Sequence, residues 1–439
     1  MIYKVDTMNI KLLNKQKKIG IIGLGYVGLP LSILFSKKYD VIGFDVDEAK
    51  INSYKKGIDL TCELPENSLS NSNIHFTSNE EDLNDVSFFV VAVPTPINNE
   101  EFPDFKYIIS ASEIVGRHIK NGNIVVYEST VYPGVTEDLC IPILEKFSGM
   151  KCVDDFKVGY SPERISPGEK HNKIENITKI VSGIDNDSLK IISRVYNNVL
   201  NNGVYEARSI KIAEAAKVVE NITRDVNIAL VNEFSMIFNK MDINTYEVIE
   251  AAGTKWNFQK YFPGLVGGHC ISVDPYYLLY KSKQLGFNPK LMEISREINE
   301  NLSDFIVKNI IYLMIENNVV IKNSNVLVLG ITFKENCNDI RNSKINNVIK
   351  ELNSININTT VYDPLADKNR VKQEYGINLV DNYDDEYDAI IFAVAHDLFK
   401  TFSLSEIKKL SKNKPIIIDL KSLLSKDIQY NDEISYWSL

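Results

Sequence analysis

Short unbroken apolar runs, several of them closed by a glycine or an acidic residue, punctuate the opening third of the chain and return near its end. Runs of this kind fit strands buried on both faces, because a half-exposed strand would alternate polar and apolar. The first is Lys18-Ile19-Gly20-Ile21-Ile22, followed directly by Gly23-Leu24-Gly25-Tyr26-Val27-Gly28. Leu29 to Lys38 then reads as a helix with Pro30 in its first turn, where a missing N–H does no harm. Asp40 to Asp45 reads as a second strand ending in an acid, and further strands are expected at Ser87–Val93 and Asn123–Tyr127. Strands alternating with helices predict a parallel sheet covered on both sides.

The middle follows another period. Tyr205 to Ala252 contains neither Gly nor Pro, and Ile212, Ala215, Ala216, Val219 and Ile222 recur at helical spacing. One long helix from about Ser209 to about Lys240 is expected, with more helix after Thr245 and around Pro289–Glu316. The final part repeats the opening grammar. Val326–Gly330 answers the first strand, Thr360–Asp363 the strand ending at Asp45, Tyr387–Val394 the third, and Pro415–Asp419 the fourth. The expected fold is α/β: two Rossmann-like doubly wound domains joined by a central helical region with one long helix. The expected boundaries are an N-terminal extension over 1–16, a dinucleotide-binding domain over 17–208, a helical and dimerising region over 209–318, and a second Rossmann-like domain over 319–439.

Composition narrows the function. The 439 residues carry a net charge of −9 and no long basic run, which argues against a nucleic-acid footprint. Five dispersed cysteines without a CxxC pair speak against a disulfide framework or structural metal site, so no metal and a reducing cytoplasm are expected. Ile19 to Phe35 lacks charge and is flanked by lysines, but its four glycines and a proline make it a poor membrane span, and no membrane insertion is expected.

The glycine run is more than a GxGxxG. It follows a strand, opens a helix, and has Asp45 twenty-two residues after Gly23. Gly23 permits the tight turn, Gly25 lets backbone approach a pyrophosphate, and Gly28 allows close helix–strand packing. The helix N-terminus favours phosphate, and Asp45 would accept hydrogen bonds from the ribose hydroxyls and repel a 2′-phosphate, which favours NAD over NADP. Thr95 and Thr130 follow the next strands at the carboxyl edge where such sheets bind ligands. On the long helix, Lys217, Asn221 and Arg224 fall on one face amid apolar neighbours. Gly267-Gly268-His269-Cys270, with Asp274 four residues on, is the densest cluster; a helix starting at Cys270 would stabilise its thiolate. The last domain lacks the triple-glycine run and is expected to hold something other than the dinucleotide.

Taken in order, the glycine fingerprint, Ser161-Pro162-Glu163-Arg164, Lys217 with Asn221, Gly-Gly-His-Cys270, and Phe333-Lys334 with Asp339-Ile340-Arg341-Asn342-Ser343 resemble the UDP-glucose/GDP-mannose dehydrogenase family, from about Lys17 to about Lys421. Lys255-Trp256-Asn257-Phe258, Gly264 to Cys270, and Val273 to Leu278 look most like the bacterial UDP-N-acetylglucosamine and UDP-N-acetylgalactosamine 6-dehydrogenases of polysaccharide synthesis, for capsule or O-antigen. The resemblance implies Cys270 as nucleophile, Lys217 and Asn221 as oxyanion stabilisers, Asp274 and Thr130 holding a catalytic water, and Glu163 assisting thioester hydrolysis. It implies Arg164, Ile165, Lys217, Asn221, Arg224, Gly267, Phe333, Lys334 and Arg341 toward a UDP-sugar, and Gly23, Gly25, Tyr26, Val27, Gly28, Asp45, Thr95 and Thr130 toward NAD. The long helix favours a homodimer or larger homo-oligomer.

The chemistry suits those roles. Oxidising a primary alcohol to a carboxylate needs two hydride transfers at one site, and a thiolate can hold the intermediate aldehyde as a thiohemiacetal. An ammonium beside the developing oxyanion is commonly worth about 3 kcal/mol. Lys334 and Arg341 could meet the substrate's pyrophosphate. Four departures from the subgroup stand out: Ser166-Pro167-Gly168-Glu169 replaces Asn-Pro-Gly-Asp, Ser272 replaces Gly or Ala, and Phe262 and Glu297 occupy positions where Arg is common. Other expectations are oxidation of UDP-N-acetylmannosamine or UDP-glucose by the same route, or an inactive nucleotide-sugar-binding regulator.

Overall fold

The structure is a computed structural model that describes residues 11, 16–61, 64–65, 67–98, 100–164, 174–268 and 270–439. The chain divides into two compact units. One comprises the residues up to Glu220 together with Tyr276–Phe287; the other comprises Asn221–Pro275 and Asn288–Leu439.

The first unit is built on an eight-stranded sheet of β1 (Lys18–Ile22), β2 (Val41–Phe44), β3 (Ile74–Thr77), β4 (Val86–Val91), β5 (Ile124–Tyr127), β6 (Lys157–Tyr160), β7 (Lys179–Gly183) and β8 (Val204–Glu206). Their spatial order is β3-β2-β1-β4-β5-β6-β7-β8. All neighbours are parallel except β6 and β7. The order in which the strands are connected reverses between the parallel β1 and β4, so loops after these strands open a crevice at the carboxyl edge. Both faces are buried, as the unbroken runs require: Ile19 and Ile21 enter one apolar cluster, Ile22 the other.

The second unit carries an all-parallel sheet of β9 (Asn325–Leu329), β10 (Asn358–Tyr362), β11 (Ala389–Phe392), β12 (Ile416–Asp419) and β13 (Ser435–Ser438), ordered β10-β9-β11-β12-β13. Val326 and Val328 point into one cluster, Leu327 and Leu329 into the other. The fold is thus the expected α/β class with two Rossmann-type sheets and a helical region between them in sequence.

The long helix runs Ile210–Asn239, within a residue of expectation at either end. Helix follows at Thr245–Ala252. The stretch expected around Pro289–Glu316 is two helices, Lys290–Glu300 and Leu302–Glu316, meeting at Asn301. The sequence reading named four strands in the first unit; β3, β6, β7 and β8 and, in the second unit, β13 complete the sheets. No described helix is long and apolar enough to cross a membrane.

Candidate active site

In the first unit, each of the three glycines answers a different steric demand. Gly23 sits at φ +91°, a backbone conformation that side chains resist. A Cβ on Gly25 would meet nothing within 4 Å, so the backbone there is open to an approaching ligand. A Cβ on Gly28 would lie 1.8 Å from the Gly23 carbonyl oxygen, so the helix Gly28–Ser36 can leave the turn only with glycine in that place. Tyr26 and Val27 are half-buried in the turn between. Asp45, just past β2, accepts from the Leu24 N–H at 2.9 Å and from Lys50 Nζ at 2.8 Å through Oδ2, and from the Asp47 N–H at 3.0 Å through Oδ1. This cradle of open backbone at a helix N-terminus, beside a fixed acid, fits NAD.

The loops after β4 and β5 are stitched together. Thr95 Oγ1 donates to the Thr130 carbonyl at 2.7 Å, and Ser129 Oγ to the Val93 carbonyl at 2.7 Å. The Tyr277 hydroxyl donates to the Thr95 carbonyl at 2.7 Å, which ties Tyr276–Phe287 to this unit.

Lys217, on the long helix, donates to Glu163 Oε2 at 3.2 Å, and both are buried, at 4% and 6% exposure. Two further buried acids brace this region, and the sequence reading missed both. Glu128, the residue after β5, accepts from Lys179 Nζ at 2.5 Å and from the Tyr196 hydroxyl. Lys179 also donates to the Pro162 carbonyl at 3.2 Å, next to Glu163. Burial pushes the Glu128 carboxyl up, against the pull of Lys179. Glu214, one turn before Lys217, accepts the N–H groups of Gly134 at 2.6 Å and Thr136 at 3.0 Å, so it holds the turn that follows Thr130. Burial lifts its pKa to about 7 despite those bonds.

In the second unit, the turn bearing Cys270 is shaped by close packing. Gly268 adopts φ +82°, and a Cβ on it would press on the Phe333 ring at 3.0 Å; a Cβ on Gly267 would lie 2.5 Å from the Asn342 carbonyl oxygen. The Asn342 side chain donates to the Gly268 carbonyl at 3.0 Å and to Ser272 Oγ at 2.7 Å, so the serine that departs from the subgroup finds a partner. Cys270 is half-buried. It does not begin a helix: the helix is Asp274–Gln284, and the Asp274 N–H donates to the Cys270 carbonyl at 2.8 Å across the preceding turn. Pro275, lacking an N–H, fits the first helical turn and sets that later start. Asp274 is 2% exposed, and its Oδ2 accepts from Asn221 Nδ2 at 2.5 Å.

The same unit holds a cavity of about 340 Å³ lined by Gly267, Phe333 and Lys334, by Phe262, which the sequence had marked as a departure, and, unforeseen from sequence, by Lys344 and Lys421. Phe262 stacks on Tyr246 with ring centroids 5.3 Å apart, so an aromatic wall stands at this position. Lys344 reaches Glu300. Burial pushes the Lys421 ammonium below the ordinary lysine range, opposed by Glu335. A signal for Lys421 was available, since it lies two residues beyond β12, at the carboxyl edge where these sheets bind ligands.

Other expected binding residues are placed differently. Arg341 does not line this cavity; its guanidinium grips Asp339 at 2.9 and 2.7 Å. Arg164 bonds Glu220 at 2.6 Å and the Thr178 carbonyl at 2.6 Å. Arg224 is exposed. Arg296, beside Glu297, is buried against Asp225 at 2.6 Å. Ile165, Ser166–Glu169 and His269 lie outside the described residues.

Comparison with known proteins identifies the family. The chain matches the NAD binding domain of the UDP-glucose/GDP-mannose dehydrogenase family over residues 17–200, its central domain over 211–301, and its UDP binding domain over 327–426. It is 48% identical to protein CapL of Staphylococcus aureus over 97% of this chain and 100% of that one. It is 48% identical to the UDP-N-acetyl-D-glucosamine 6-dehydrogenase of Salmonella typhi over 93% and 97%. The solved UDP-D-ManNAc dehydrogenase of Pyrococcus horikoshii superposes with a TM-score of 0.88 at 29% identity, covering 96% of this chain and 98% of that one. The chain therefore belongs to the UDP-glucose/GDP-mannose dehydrogenase family, the NAD-dependent oxidoreductases of nucleotide sugars.

Proposed function

We propose that this protein oxidises the C6 hydroxymethyl group of a UDP-N-acetylhexosamine, of the GlcNAc or GalNAc type, to the hexosaminuronate. The balance per sugar is one alcohol, one water and two NAD to one carboxylate, two NADH and three protons. NAD, held by the Gly23–Gly28 turn, Asp45, Thr95 and Thr130, supplies the hydride acceptor for both oxidations. Cys270 adds to the C6 aldehyde and keeps it from escaping; the thiohemiacetal alkoxide is then oxidised to a thioester, which water hydrolyses to carboxylate and thiol. Lys217 and Asn221 stabilise the successive oxyanions, and Asp274 with Thr130 positions the water. Glu163, paired with Lys217, assists the hydrolysis. Gly267, Phe333 and Lys334 bind the UDP portion; Arg164, Ile165, Arg224 and Arg341 are assigned to the substrate by their place in the family motifs.

The observation that carries this reading is the buried Asn221–Asp274 hydrogen bond next to the Cys270 turn. An amide and a carboxylate in the second unit are fixed within one turn of a half-buried thiol, a set that simple alcohol dehydrogenation does not need. The N-acetylglucosamine preference is supported by the Salmonella typhi relative, at 48% identity over nearly the whole chain. The product would feed capsule or O-antigen polysaccharide in the cytoplasm. A homodimer through the long helix is supported by Leu230, Phe234 and Ile237, exposed apolar residues spaced along one helical face.

The test is to incubate the protein with NAD and a panel of UDP-sugars, count NADH and weigh the product. Two NADH per sugar and a product heavier by one oxygen less two hydrogens are expected, with UDP-GlcNAc or UDP-GalNAc turned over fastest; one NADH and a released aldehyde would defeat the proposal. Cys270→Ser should lower carboxylate yield by about a thousandfold or more, and undiminished yield would remove the nucleophile.

A further inference from the structure

The segment that follows β9 lines the cavity with Thr332, Phe333, Lys334 and Glu335 and is held from behind by two buried side chains that do not line it. Asp363, the residue after β10, and His396, in the loop after β11, are 4% and 1% exposed. Asp363 Oδ2 accepts the N–H groups of Ile331 at 2.7 Å and Thr332 at 3.2 Å, and its Oδ1 accepts those of Leu365 at 2.9 Å and Ala366 at 3.1 Å. His396 Nδ1 accepts the Asn336 N–H at 2.9 Å. That bond assigns the ring proton to Nε2, which lies 3.2 Å from both Asp363 Oδ2 and Thr332 Oγ1. Thr332 Oγ1 in turn donates to the Lys334 carbonyl at 2.9 Å. One carboxylate and one imidazole thus fix both ends of the 331–336 segment, and the ring itself packs edge-on against Phe399 at 5.6 Å.

We infer that His396 and Asp363 are positioning residues for nucleotide recognition, holding Phe333 and Lys334 in the arrangement that receives the uridine diphosphate part of the substrate. The inference rests on the reading of this cavity as the UDP site. Each side chain acts through the loop alone, so its loss weakens binding of the diphosphate and leaves the chemistry at C6 intact.

Calorimetric titration of the full-length protein with UDP tests it. His396→Ala should weaken UDP about tenfold or more, as for two lost buried hydrogen bonds, and raise the KM for the UDP-sugar alike. The kcat at saturating substrate and the KM for NAD should stay within about twofold of the unaltered protein. His396→Asn keeps an acceptor near the Nδ1 position and His396→Gln a donor near Nε2, so each should recover part of the loss. Asp363→Asn gives a second variant if the alanine protein folds poorly. Unchanged UDP affinity in His396→Ala overturns the inference. So does a uniform fall in kcat and melting temperature that neither Asn nor Gln relieves, because that is the mark of a residue needed only for folding. Failure of the unaltered protein to bind UDP would overturn the cavity reading itself, an outcome distinct from either.

Discussion

The two sheets begin alike and diverge within a few residues. Each first strand ends in a glycine with positive φ, Gly23 at +91° and Gly330 at +98°, and each second strand is followed by a buried aspartate, Asp45 and Asp363, that accepts N–H groups from the opening loop. Beyond that point the first unit offers bare backbone: Gly25 opens onto empty space and Gly28 lets a helix start against the turn. The second unit fills the same stretch with Thr332, Phe333, Lys334 and Glu335, and its aspartate is claimed by His396. One framework thus supports two ways of receiving a diphosphate. On the proposed reading, the first would use peptide N–H groups and the partial charge of a helix end, and the second ammonium groups and an aromatic wall.

The largest effect should come from removing the first strategy. Gly28→Ala places a methyl group against the Gly23 carbonyl oxygen and should weaken NAD by about a hundredfold or more, equivalent to roughly 3 kcal/mol. UDP affinity, measured on the same sample, should stay the same; a parallel loss of both would mean that the two halves are not separable in this way.

A smaller effect is expected from the second strategy. Lys421→Met should weaken UDP about tenfold, as for a lost charged hydrogen bond, and leave NAD alone. Because burial holds the Lys421 ammonium below the usual lysine range, raising the pH removes its proton early. UDP affinity should therefore fall with rising pH before exposed lysines titrate, and the methionine variant should lose that slope. A pH profile identical in the two proteins would refute the part assigned to Lys421.

The smallest difference is in ionic strength. Raising salt from about 0.05 to 0.5 M shortens the reach of charge interactions, so UDP binding should weaken several-fold while NAD binding changes by less than about twofold. Equal salt slopes would erase the distinction between backbone and ammonium recognition.

Local signals carried most of this into view. The glycine fingerprint, the recurring apolar strands and the helical period of the long helix are properties of adjacent residues, and all became the expected elements. Cys270, Asn221 and Asp274 were singled out on local spacing, but the Asn221–Asp274 bond, across 53 positions, was not foreseen. What stayed hidden depends on partners far apart in sequence. Glu128 and Lys179 are separated by 51 positions, and nothing near either announces a buried ion pair. His396 and Asp363, 33 positions apart, are equally silent. The short β6, β7 and β8 offered too few residues for a period, and β8 has only three. The helix considered for Cys270 begins instead at Asp274, with Pro275 suited to its first turn. Arg341 reads as a substrate cation by motif, yet its near neighbour Asp339 takes both ends of its guanidinium.

The helix Asp274–Gln284 has a consequence for anyone who would exchange parts between relatives. From Tyr276 to Phe287 the polypeptide belongs to the first unit, although the stretches on either side belong to the second. No single cut can separate the two bodies, and a chimera spliced at one junction near residue 220 would graft this segment onto a foreign host. A working hybrid must carry the twelve-residue insert, with the tyrosine that secures Thr95, along with the N-terminal donor.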